Sequence, residues 1–230
     1  MIAMAGGLLK YVVMTESDFD PQLVGAAFAM GADAGWAKVS AAGAARRAGL
    51  DLVQARARFA SRVHILRKVG EQADVAALTG ALADGPVRDR LFDILLRRFD
   101  YLQAQRAGVV ALLKYLPTDP PLALYLARAS LGSMGWLLEG AGVPARGLRG
   151  QLATRGLLLV WAHGLRAWLR DETEDLSATM AAVDTALNRA DALAARFCAP
   201  GPAAASTADA SFTEAEPPEF PLPPDPSGVA

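Results

Sequence analysis

The twenty residues from Ser40 to Phe59 constrain this chain more than any other stretch. Two short helical segments lie there, each opened by a side chain that caps helices, Ser40 and Asp51. Between them Gly49 supplies a turn conformation that a Cβ disfavours. Ala44, Ala45 and Ala48 are small enough for the two helices to cross closely, and Leu50 and Ala55 can fill the space between them. The spacing predicts one helix from the Ser40 cap to about Arg47 and a second over about Leu52–Phe59. This is a helix-turn-helix, in which the first helix spans a nucleic-acid backbone and the second projects into the major groove.

Helical periodicity continues through most of the remaining chain, and strand alternation is almost absent. With 230 residues, 53% of them hydrophobic and Ala and Leu prominent, an all-α chain with a sizeable core is expected. Pro21 is read as the first residue of a helix running to about Ala34. Ser61 opens a longer helix with Val63, Ile65, Leu66 and Val69 as its apolar positions. After Gly85-Pro86, the series Val87, Leu91, Leu95, Phe99 and Leu102 forms one apolar stripe. Further helices are expected over Val109–Leu116, Leu122–Glu139, about 147–170 and about 174–197.

In the last of these, Leu176, Met180, Val183, Leu187, Ala190, Ala194 and Phe197 recur at spacings of four and three, which keeps one seam on a single partner helix. The seam serves a subunit interface of a homodimer, through Leu176, Met180, Val183 and Leu187, or it is an ordinary core face. From Ala199 onward eight of 32 residues are Pro, with five acids and no base, a composition that predicts a disordered acidic tail. Cys198 is the only cysteine, so no internal disulfide can form, consistent with a cytoplasmic protein. Met1 to Met14 is apolar but carries no basic residue before Lys10 and is too short for a transmembrane segment. Met14 is a second candidate start.

The formal net charge of −1 conceals a strong asymmetry. From Trp36 to Glu71 stand Lys38, Arg46, Arg47, Arg56, Arg58, Arg62, Arg67 and Lys68, against Asp51 and Glu71 alone, a balance of +6. A concentrated basic segment is what neutralising phosphates requires.

These residues resemble the TetR family of one-component regulators. The resemblance runs from Leu23 to Leu66 through Ala26-Ala27-Phe28, Gly35-Trp36, Val39-Ser40, Ala45 to Leu50, Phe59-Ala60-Ser61-Arg62 and Ile65-Leu66. It implies a TetR-like fold: an N-terminal three-helix helix-turn-helix domain (15–72) followed by a larger C-terminal helical bundle (73–198) for ligand binding and dimerisation. It also implies a homodimeric repressor that binds a pseudo-palindromic site on double-stranded DNA and is tuned by a small apolar effector. By the same resemblance Gln54 reads a base edge, Arg56, Arg58 and Arg62 hold phosphates, and Lys38 and Ser40 bond the backbone at the entry. The chain departs from the family where Arg56 and Arg58 replace an aromatic and a His or Tyr, and where Arg62 replaces Lys.

A second stretch, Trp168 to Asp184, resembles the C-terminal motif of coenzyme Q accessory proteins, with support around Leu113–Leu116 and Met134–Gly142. Those proteins share the TetR fold and bind lipid or isoprenoid without DNA. Met134, Trp136, Trp161, His163 and Trp168 could line an apolar pocket, with His163 as its polar group. His64 and His163 are the only histidines and no ligand spacing joins them to Cys198, so neither a metal nor another cofactor is expected. No nucleophile-and-base arrangement points to an enzyme.

Overall fold

A computed structural model describes residues 16–173 and 175–198, and the expected acidic tail lies outside them. The chain divides into two units, Met1–Leu193 and Ala194–Ala230. Of the second unit, only the final turn of a helix falls among the described residues. Among the described residues all regular structure is helical: α1 (Glu16–Ala34), α2 (Ala41–Arg47), α3 (Leu52–Arg58), α4 (Arg62–Leu78), α5 (Val87–Gln103), α6 (Arg106–Tyr115), α7 (Pro120–Gly140), α8 (Gly147–Trp168) and α9 (Ser177–Cys198), with short 3-10 turns at Trp36–Lys38 and Leu116–Thr118. No helix described is long and apolar enough to cross a membrane.

α1, α2 and α3 form a head, and α4 continues without interruption through residues 72 and 73 into the body, where it packs on α5 and α7. The head is fastened to the body where α1 crosses α6. That crossing depends on Gly108: a Cβ there would lie 2.6 Å from the Phe28 carbonyl oxygen. The same glycine's carbonyl accepts a hydrogen bond from the Trp36 indole at 2.9 Å, and Trp36 packs edge-on against Phe28. This close approach is one of the points that fix the head on the body.

Several expected helix starts shift, α6 among them, which begins at Arg106 rather than Val109. α1 begins at Glu16, so Pro21 sits inside it rather than at its start. The lost backbone donor is offset by tertiary anchoring just before it, where Phe19 is buried and Asp20 pairs with Arg58 and Lys68. α7 begins at Pro120, because Asp119 caps it by accepting from the Leu122 N–H, and prolines suit the first turn.

The regular seam of α9 is spent inside the chain. Leu176, Val183 and Leu187 are buried and Met180 is half-buried. A Cβ on Gly164 of α8 would meet Val183 Cγ2 at 2.8 Å and the Phe99 ring at about the same range, so the seam lies against α8 and α5 of its own chain. At Val183 the spacing of four and three is met by an internal neighbour, and Leu176 and Leu187 are likewise part of the chain's own core. The Phe197 side chain lies outside the described residues.

The expected pocket does not assemble either. Met134, Trp161 and Trp168 are packed solidly in the core, while Trp136 is 67% exposed and His163 is exposed on α8. Trp161 stacks on Phe99 with ring centroids 4.4 Å apart, and the Arg98 guanidinium lies 4.8 Å from its centroid. Trp136 instead borders a shallow surface groove of about 430 Å³ with Leu78, Ala81 and Leu82.

Trp168 to Asp184 runs from the end of α8 across the connection and into the first two turns of α9. The buried Asp171 carboxylate accepts from the backbone N–H and hydroxyl of both Thr173 and Thr179, which clamps the turn and the first turn of α9. Those bonds, the Thr173 hydroxyl foremost, hold the carboxyl down at about 2. Arg106 closes the other side by donating to the Trp168 and Asp171 carbonyls.

Candidate nucleic-acid interface

Local chemistry places each part of the helix-turn-helix. The Ser40 hydroxyl accepts from the Gly43 N–H at 3.0 Å and caps α2, and Asp51 accepts from the Gln54 N–H at 2.8 Å and caps α3. At the end of α2, Gly49 takes φ +67°. Its N–H bonds the Arg46 carbonyl while the Leu50 N–H bonds the Ala45 carbonyl, a Schellman stop with buried Leu50 as its apolar plug. Ala44, Ala45 and Ala55 are buried between α2 and α3. This leaves Leu52, Val53, Gln54, Arg56 and Ala57 of α3 exposed, with Val53 at 77%.

A notch of about 460 Å³ opens beside this face. Ser40 at the entry to α2, Arg56 of α3, and Ser61 and Arg62 at the start of α4 supply its polar lining, over a floor that includes Val39, Ala55 and Phe59. Its opening is bordered by groups that suit a phosphate, and its floor is apolar.

The expected contact residues separate into two sets. Lys38, Gln54 and Arg56 stand exposed, and Arg56 makes only a long contact of 3.4 Å to the Ala60 carbonyl. Ser40 is engaged as a cap, which leaves its hydroxyl proton for another partner. Arg58 pairs with Asp20 at 3.2 Å and lies over the Phe19 ring. Arg62 pairs with Asp119 at 2.6 Å and lies over the Tyr115 ring. Both are therefore built into the joints of the fold.

The same sorting applies to the rest of the basic segment. Arg47 pairs with Asp33, Arg67 with Glu71 and Lys68 with Asp20. Of the eight cations, Lys38, Arg46 and Arg56 have no carboxylate partner among the described residues. Arg46 was not among the expected contacts. Its signal lay in the helix itself, since it ends α2 on the exposed side opposite the buried Ala44 and Ala45. Among the described residues no group of His, Cys, Asp or Glu is arranged to hold a metal.

The arrangement has a counterpart among solved structures. A TetR transcriptional regulator from Nitrosomonas europaea superposes at a TM-score of 0.61 with 20% identity, over 76% of this chain and 98% of that one. The fold is that of a TetR regulator. A transcriptional regulator from Rhodococcus sp. superposes at 0.46 with 18% identity, over 74% of this chain and 94% of its own. No protein-family model and no curated protein sequence matches the chain. The three cations without carboxylate partners and the exposed α3 thus lie on the helix-turn-helix or on the turn that leads into it.

Proposed function

We propose that this chain is a transcriptional regulator that binds double-stranded DNA through α2 and α3. The observation that carries the reading is the distribution of partners in the basic head: Lys38, Arg46 and Arg56, on the turn before α2, on α2 and on α3, are left without carboxylates beside an exposed recognition helix. Lys38, Arg46 and Arg56 then neutralise phosphates, and the Ser40 hydroxyl adds a backbone contact. Gln54 reads a base edge, because its amide can pair bidentately with adenine. Residues 15–72 serve as the DNA-binding part and 73–198 as the supporting and dimerising part.

A homodimer forms on a different surface from the α9 seam. Leu148, Leu152 and Leu159 stand exposed on α8, at spacings that place them within about 40° of arc on the helix. Paired about a two-fold axis, two such faces present two heads to a pseudo-palindrome.

The test is a selection from random duplexes, followed by gel shifts across a salt series. Binding should weaken by a log–log slope of about −0.9 per phosphate neutralised, and Arg56→Gln should remove roughly one such contact from each head. A folded protein that retains no duplex at low salt refutes the reading. Sedimentation of Leu152→Glu checks the dimer separately, with a monomer expected.

A further inference from the structure

We propose that Asp119 is a positioning residue for the head: it holds Arg62 in an ion pair and thereby withholds that guanidinium from a polyanion bound in the notch. The inference rests on the nucleic-acid reading above. Arg62 opens α4 and lines the notch with Ser40, Arg56 and Ser61. Its Nη2 donates to Asp119 Oδ2 at 2.6 Å, whereas its Nη1 reaches the Trp36 carbonyl and the Tyr115 hydroxyl only at 3.4 Å each. The Tyr115 hydroxyl donates to the same Asp119 oxygen at 3.2 Å, and the other Asp119 oxygen accepts from the Leu122 N–H.

One carboxylate therefore joins the start of α4 to the start of α7. A phosphate and a carboxylate are alternative partners for the same fork of N–H donors. While Asp119 occupies Nη2, the positive charge of Arg62 is neutralised at the edge of the notch that Arg56 serves unopposed. A displacement of the first turn of α7 carries Asp119 with it and adds one cation to the notch. The residue acts on DNA only through Arg62, and it makes α7 the element through which a change in the body reaches the head.

The experiment compares wild type, Asp119→Asn, Arg62→Gln and the double variant for binding to a 30-base-pair random duplex and to heparin across a salt series. Asn retains an oxygen for the Leu122 N–H, so the α7 cap survives, and a thermal melt verifies the fold. Asp119→Asn should bind severalfold tighter at about 0.1 M salt, with a slope on the duplex steeper by about 0.9 per bound head. Arg62→Gln, which leaves the Asp119 carboxylate unopposed, should bind somewhat more weakly than wild type, and the double variant, which removes both charges, should match wild type. Tyr115→Phe, which loosens the pair without touching the cap, should move binding in the same direction by less. A folded Asp119→Asn with wild-type slope overturns the proposal. So does a double variant that loses as much as Arg56→Gln, since Arg62 would then already be on the phosphate. If heparin shows the gain and no variant retains the duplex, the DNA reading fails and the role of Asp119 stands.

Discussion

In the head, α2 and α3 have seven residues each and meet through alanines, with stops and caps made by Ser40, Asp51 and Gly49. In the body, α4, α5, α7 and α8 have 17 to 22 residues, and α5 meets α8 through aromatic rings and α4 through a buried ion pair. There Arg98, 5% exposed, donates to Asp74 and to Ser133, and its Nε finds no partner. Burial raises the Asp74 carboxyl above its ordinary value, against the pull of Arg98 and Ser133. The head is thus specified by backbone chemistry that is local in sequence, and the body by contacts that are not. A surface that must stay exposed for binding cannot contribute large burial, so it is held by caps and by ion pairs reaching in from outside.

The largest expected effect lies in the body. Asp74→Ala strands a buried guanidinium and should cost about 3–5 kcal/mol in denaturant unfolding, whereas Asp74→Leu with Arg98→Met should recover most of it. Equal losses in both variants would show that the pair is worth its burial and would blur the contrast with the head. Asp171→Ala should cost about 2 kcal/mol, because two threonine N–H groups and two hydroxyls lose a charged acceptor. Its carboxyl titrates at about 2 in the fold, below the ordinary 3.8. A lowered carboxylate pKa gives stability that is complete above the unfolded value and fades as pH falls through the folded one. The melting gap between wild type and Asp171→Asn should therefore be full above about pH 4 and close toward about pH 2.

In the head, Gly49→Ala forces a Cβ into the left-handed region and should cost about 1–2 kcal/mol, read by thermal melting. The smallest effect belongs to Arg67→Ala. That residue's pair with Glu71 is half exposed and spans one helical turn, so stability should change by no more than about 0.5 kcal/mol. A loss several times larger would mean that surface ion pairs hold the head as strongly as buried packing holds the body.

The same division explains what could be read from the sequence. The helix-turn-helix was legible because each determinant acts within a few residues: Ser40 on Gly43, Asp51 on Gln54, Gly49 between Ala45 and Leu50. Charge counted in a window was not enough, because the carboxylates that claim Arg58 and Arg62 stand 38 and 57 residues away. The α9 seam shows the limit of periodicity. Spacing of four and three states that one face is covered, and only the packing of Val183 on Gly164 and Phe99 states by what. The tryptophans and Met134 suggested a pocket by composition, yet Trp161 and Phe99 fill each other's space, while Trp136 faces outward.

The indole bond from Trp36 to the Gly108 carbonyl has a further consequence for a paired assembly. In the DNA-bound homodimer proposed above, a head held by so short a strut would make the distance between two heads a gauge set by the body. Inserting one base pair between half-sites would turn one of them by roughly 34° about the duplex axis as well as moving it away. A calliper of this kind tolerates substitutions in the spacer far better than a change in its length.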